Sequence, residues 1–198
     1  MAYSKTIVMY YGSTFKKQRV IALSTLALVV STAIILYYIA TRPEKYHLLT
    51  TWTSTENGVK VKIDVIKYLS GELKLSGTFT PTRQGFHLYS KDLPKDGLGG
   101  LGRPTLLEIV KSDSIKITGP LEADRPVQDI TFDILGISLP VYPAGSVVLS
   151  LPFEFVTNDN LASMDIAITY MACSDKTCLP PVIGKHISIQ VPSSFFED

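Results

Sequence analysis

Val59-Lys-Val61-Lys-Ile63-Asp-Val65 alternates strictly between apolar and charged residues, and Gly71-Glu-Leu73-Lys-Leu75-Ser-Gly77 repeats the pattern a few positions on. A period of two puts every second side chain on one face, so both stretches read as strands with one buried face. Outward from them, Thr105–Val110, Ser114–Thr118, Ser146–Val156, Asp165–Met171 and His186–Val191 are further strand candidates, separated by Gly, Pro, Asn and Asp clusters. No segment of this region has a convincing 3.6-residue apolar period. About seven short strands in roughly 150 residues predict a mainly β fold, an immunoglobulin-like antiparallel β-sandwich.

Towards the N-terminus the pattern becomes continuous. Val20 to Ala40 contains no charged residue and is apolar apart from Ser and Thr. Twenty-one such residues are long enough to span a bilayer as a helix, and longer than the apolar core of a cleaved signal peptide. Lys5, Lys16, Lys17 and Arg19 precede the run with no acidic residue, so all 18 Asp and Glu follow it. The positive-inside rule then predicts a cytoplasmic N-terminus, a single pass and an outer C-terminal domain, with Tyr37 and Tyr38 near the far interface. The expected layout is a cytoplasmic tail (1–19), a transmembrane helix (20–41), a stalk (42–51) and a β-sandwich domain (52–198). For a bacterial chain this means an inner-membrane protein with a periplasmic domain. Ser24, Thr25, Ser31 and Thr32 within the run offer contacts to helices of a larger membrane complex.

Net charge is +1 with no basic cluster in the folded part, so the footprint of a nucleic-acid binder is missing. Gly97-Leu-Gly99-Gly-Leu-Gly102 fits G-x-G-x-x-G, but the strand before and helix after that a dinucleotide site needs are not predicted. It reads as a loop. His47, His87 and His186 are scattered and have no close-spaced ligand partner, so they read as surface or structural histidines; no metal or cofactor is expected. Neither a G-x-S-x-G elbow nor a P-loop occurs.

Both cysteines lie in Cys173-Ser-Asp-Lys-Thr-Cys178, five positions apart. The spacing suits a small disulfide-closed loop. Such a bridge removes little chain entropy from the unfolded state, about 2 kcal/mol on the loop-length relation. On spacing alone a structural staple and a redox site stand equal. Lys176 lies close enough to favour a thiolate and Asp175 opposes it.

Tyr170-Met-Ala-Cys173-Ser-Asp-Lys-Thr-Cys178-Leu-Pro180-Pro181 resembles the Tyr-x-x-Cys…Cys-x-Pro-Pro signature of the N-terminal periplasmic domain of the thiol:disulfide interchange protein DsbD. Gly85-Phe-His-Leu-Tyr89 is similar to that family's Gly-aromatic-x-x-Tyr strand. The likeness covers roughly residues 52–194. It implies an immunoglobulin-like sandwich whose redox pair is Cys173 and Cys178, exchanging electrons with thioredoxin-fold periplasmic partners under a covering loop. By chain order that loop falls at Asp129–Gly136, with Phe132 as the shield. The family's electron-conducting membrane domain and Cys-x-x-Cys domain have no counterpart here, so a separate membrane electron donor is implied. The alternative is a non-catalytic single-span accessory subunit of a respiratory, photosynthetic or secretion complex, with the disulfide purely structural.

Overall fold

Val59, Val61, Ile63 and Val65 are all buried, while Lys60 and Lys62 between them are exposed, so the alternating stretch is a strand with one face in the core. The protein is described by a computed structural model, in which residues 30–37, 45–110, 114–132, 136–156 and 163–191 are described. The chain divides into two units, Met1–Glu44 and Lys45–Asp198.

Of the first unit the described part is one helix, α1 (Val30–Tyr37). Its eight described residues cover about 12 Å of helix axis, and the residues on either side of them lie outside the described residues. Among the described residues no helix is long and apolar enough to cross a membrane. This corrects the expected single transmembrane helix, and with it the single-pass inner-membrane localisation. The remainder of the predicted span, residues 20–29 and 38–41, lies outside the described residues.

Among the described residues the second unit has thirteen strands. In chain order they are β1 (Tyr46–Glu56), β2 (Val59–Tyr68), β3 (Leu73–Pro81), β4 (His87–Tyr89), β5 (Leu106–Ile109), β6 (Ile115–Ile117) and β7 (Glu122–Ala123). Then follow β8 (Gln128–Phe132), β9 (Ile137–Tyr142), β10 (Val147–Phe155), β11 (Ser163–Tyr170), β12 (Ala172–Cys173) and β13 (Val182–Gln190). They form three sheets rather than the two of the expected sandwich. One has the order β1-β2-β3-β10-β6 with β7 also paired to β10, the second β13-β11-β5, the third β12-β4-β9-β8. Every strand pairing is antiparallel. The segment read as a stalk is strand from Tyr46 onward, paired residue for residue with β2 around one bulge between Leu48 and Thr50.

The six-stranded and three-stranded sheets share one core. Leu75 and Phe79 of β3 and Leu149 and Phe153 of β10 belong to the same buried cluster as Leu107, Ile166 and Tyr170. Phe79 meets Tyr170 edge-on at 5.8 Å between ring centroids, a contact from one sheet to the other. A Cβ on Gly77 would stand 3.0 Å from Leu107 Cδ2, so the glycine is what lets β3 approach β5 this closely.

The β1–β2 hairpin closes through Asn57 and Gly58, both at positive φ, as a two-residue turn of this kind requires. A side chain on Gly58 would also collide with Leu179, which brings the hairpin tip against the chain just beyond Cys178. Asn57 Nδ2 donates to the Pro181 carbonyl at 3.4 Å on the same side.

Candidate functional site

After β11 the chain crosses to the third sheet as β12, where Ala172 pairs with Leu88 and Cys173 with His87. Directly paired residues share a face, and neighbours along a strand alternate. Leu88 and Ala172 therefore enter the main core, while His87, Tyr89 and Cys173 point to the other face of the sheet. There Tyr89 and Cys173 join Leu93, Leu139 and Val141 in a second, smaller cluster.

Ser174 to Thr177 turn the chain back. The Ser174 N–H donates to the Thr177 carbonyl at 2.8 Å, and the Ser174 hydroxyl oxygen accepts from the Lys176 and Thr177 amides at 3.2 Å each. Ser and Asp at the head of a tight turn supply such local bonds, which is why this hexapeptide closes on itself. Cys178 returns opposite Cys173 in an antiparallel bridge, and the two form a disulfide with Cα atoms 4.0 Å apart. The Leu179 N–H then donates to the Ala172 carbonyl at 2.9 Å, fixing the return strand.

The two sulfurs have unlike surroundings. Cys173 is 0% exposed, whereas Cys178 is exposed at the turn. The Tyr89 hydroxyl lies 4.0 Å from Cys178 Sγ, within reach of a hydrogen bond to sulfur. Burial raises the Tyr89 pKa from its usual value, so the hydroxyl keeps its proton and remains available as a donor at neutral pH.

His87 completes the arrangement. It is 6% exposed, its ring meets that of Tyr89 edge-on at 5.7 Å, and its Nε2 has no hydrogen-bond partner. Burial lowers its pKa and the Asp175 carboxylate partly opposes that. A histidine held neutral in the folded state but protonated near pH 6.5 when unfolded makes the unfolded chain bind more protons below that pH. Stability is then fully present above about pH 6.5 and declines as pH falls towards the depressed folded pKa. Urea midpoints for the full chain are expected to drop on acidification through this window, and His87→Phe should remove that part of the slope. An identical pH slope in the variant would refute the assignment.

The predicted pair Cys173 and Cys178 is thus brought together. Asp175 and Lys176 sit exposed at the turn tip, with Asp175 acting on the His87 charge. Phe132 pairs through its backbone with Ile137, and both its side chain and residues 133–135 of the predicted covering loop lie outside the described residues. His87, read from sequence as an ordinary structural histidine, is the site residue that reading missed. Its signal was the pair His87-x-Tyr89, two polar-capable rings on one strand face. His186 pairs with Ala167 in the three-stranded sheet and His47 with Lys67 in the six-stranded one, away from β4.

The glycine-rich segment is a turn. Leu98 and Leu101 exchange backbone hydrogen bonds across Gly99 and Gly100, and Arg103 Nη1 donates to the carbonyls of Asp96, Gly100 and Gly102. Extended residues follow it rather than a helix, so no phosphate cradle forms. Among the described residues no three His, Cys, Asp or Glu side chains gather as metal ligands.

No protein-family model matches the chain. No curated protein matches it either. The chemistry of the site therefore rests on its own groups: a disulfide with one buried and one exposed cysteine, a protonated phenol at the exposed sulfur, and a buried imidazole across the strand pair from the other.

Proposed function

We propose that Cys173 and Cys178 form a thiol–disulfide exchange site that accepts two electrons from a dithiol protein and hands them to a second protein's disulfide. The observation that carries this reading is the asymmetry of the pair, with Cys178 exposed and facing the Tyr89 hydroxyl while Cys173 is enclosed. A partner thiolate attacks Cys178 Sγ, the Cys173–Cys178 bond breaks, and its electron pair leaves on Cys173. The partner's second thiolate then attacks the partner sulfur of the mixed disulfide and releases Cys178. The partner leaves oxidised, and its two thiol protons end on Cys173 and Cys178. Tyr89 is placed to donate to the Cys178 thiolate as it is released, since a charged acceptor strengthens the hydrogen bond.

The resemblance of Tyr170–Pro181 to the interchange-protein signature supports the same reading, and it names thioredoxin-fold proteins as the partner class. A loop this short contributes only about 2 kcal/mol to stability, so the core shared by the six-stranded and three-stranded sheets can hold the fold while the bridge opens.

Equilibrating the full chain with thiol–disulfide redox buffers tests the proposal. The reduction potential is expected between about −270 and −120 mV, the span of exchange proteins, with the far-ultraviolet circular dichroism kept on reduction. A potential below about −300 mV together with unfolding on reduction would overturn it, leaving a staple in a binding subunit.

A further inference from the structure

Building on the exchange reading, we propose that His87 is the group that receives the leaving Cys173 thiolate, donating a hydrogen bond to its sulfur while Tyr89 serves Cys178. Three buried side-chain polar atoms among the described residues lack a hydrogen-bond partner: Asp64 Oδ1, Arg125 Nε and His87 Nε2. The first two are accounted for by charge, because Asp64 holds Lys62 through its other oxygen at 2.6 Å and Arg125 Nε stands 3.4 Å from Asp124 Oδ1. His87 Nε2 has no such relief. A buried polar group left unpaired is costly, and its retention calls for a use.

The position of His87 indicates that use. Attack at exposed Cys178 makes Cys173 the leaving group, and Cys173 is fully enclosed beside Leu93, Leu139 and Val141. A thiolate set free among apolar side chains is strongly disfavoured without a donor. Two donors are at hand on that face. The Tyr89 hydroxyl is taken by Cys178 Sγ. His87 is the residue paired directly across from Cys173, where opposed Cβ atoms lie about 5 Å apart. The charges around it are few. Tyr89 shares its strand and Asp175 lies in the turn beyond β12; β9 offers Leu139 and Val141 to the cluster. In the loop after Tyr89, Lys91 pairs with Asp92, Lys95 with Glu108, and Arg103 with backbone carbonyls that include that of Asp96.

The electron balance is that of the first exchange step. The attacking sulfur and Cys178 gain a bond, Cys173 gains the electron pair, and His87 moves no electron. A neutral imidazole donates its N–H, and at lower pH an imidazolium donates more strongly.

The test is the rate at which dithiothreitol opens the bridge in the full chain, measured from pH 5.5 to 8 for the natural protein, His87→Phe and His87→Gln. At pH 7 the Phe variant is expected to react about tenfold more slowly, the effect of losing one hydrogen bond to a charged group. The Gln variant, which keeps an N–H donor, is expected within about threefold of the natural rate. The ratio of natural to Phe rates should hold level from pH 8 to about 6.5 and widen only as pH falls towards the depressed folded pKa of His87. Equal rates in all three, or a loss in Gln as large as in Phe, would overturn the role of His87 while leaving the exchange site standing. A bridge that dithiothreitol cannot open in the natural protein would overturn both. Should either variant fail to fold, the imidazole nitrogens of the natural protein, which has only three histidines, decide the matter by nitrogen-15 resonance. The His87 N–H signal is expected to move downfield on reduction at pH 8, and an unmoved signal would overturn the inference.

Discussion

With Cys173 replaced by alanine, the remaining Cys178 thiol is expected to react with a small aromatic disulfide about a hundredfold faster than the Cys173 thiol left by Cys178→Ala. Cys178 is exposed at the turn tip and Cys173 is 0% exposed inside a cluster with Tyr89, Leu93, Leu139 and Val141. Reaction at Cys173 needs local opening of that cluster, and roughly 3 kcal/mol of opening is two powers of ten in rate. The same asymmetry should appear with proteins. A single-cysteine thioredoxin-fold protein carried as its aromatic mixed disulfide should be trapped as a covalent complex by the Cys178 thiol of Cys173→Ala, with the aromatic thiol leaving, and not by Cys178→Ala. Both variants should abolish the proposed exchange, because neither can form the internal disulfide. Equal reactivity of the two single cysteines would refute the assignment of Cys178 as the attacked sulfur.

Phe79→Ala is expected to lower the unfolding free energy by about 3–5 kcal/mol, the range for removing a buried phenylalanine. Phe79 is 0% exposed on β3 and its ring meets Tyr170 of β11 edge-on, so truncation leaves a void where the six-stranded and three-stranded sheets meet. Loss of the ring pair is part of that figure. For a chain of this size the melting temperature should fall by roughly 10 °C or more. Denaturant titration at unchanged slope is the measurement. A loss under about 1 kcal/mol would show that the two sheets do not depend on this contact.

The alternating stretches were legible because burial on one face imposes a period of two. Val59 to Val65 and Ser146 to Val156 are strands of the six-stranded sheet, as their pattern predicts, and the β1–β2 turn is carried by Asn57-Gly58, two residues that tolerate positive φ. Several strands were overlooked. Tyr46–Glu56 is an edge strand with mostly exposed or half-buried side chains, β7 and β12 have two residues each, too few to show any period, and β8 lies where a covering loop was expected. The apolar run before them reads as a membrane span from its length and hydropathy, and among the described residues no helix is long and apolar enough to be one. α1 extends over eight described residues.

That the cysteines close a small loop was already written in the chain, since five positions with Ser, Asp and Thr between them leave a tight turn as the short path. It also placed Asp175 and Lys176 at the tip, for the same local reason. Only the tertiary structure decided which sulfur is open to a partner and what lies behind the other. Cys173 is enclosed because β12 pairs with β4, more than eighty residues earlier in the chain, and that pairing sets His87 across from it and Tyr89 beside Cys178. Such contacts depend on strand register between distant segments. Local pattern carries no record of register, which is fixed only when the faces of three sheets are buried together.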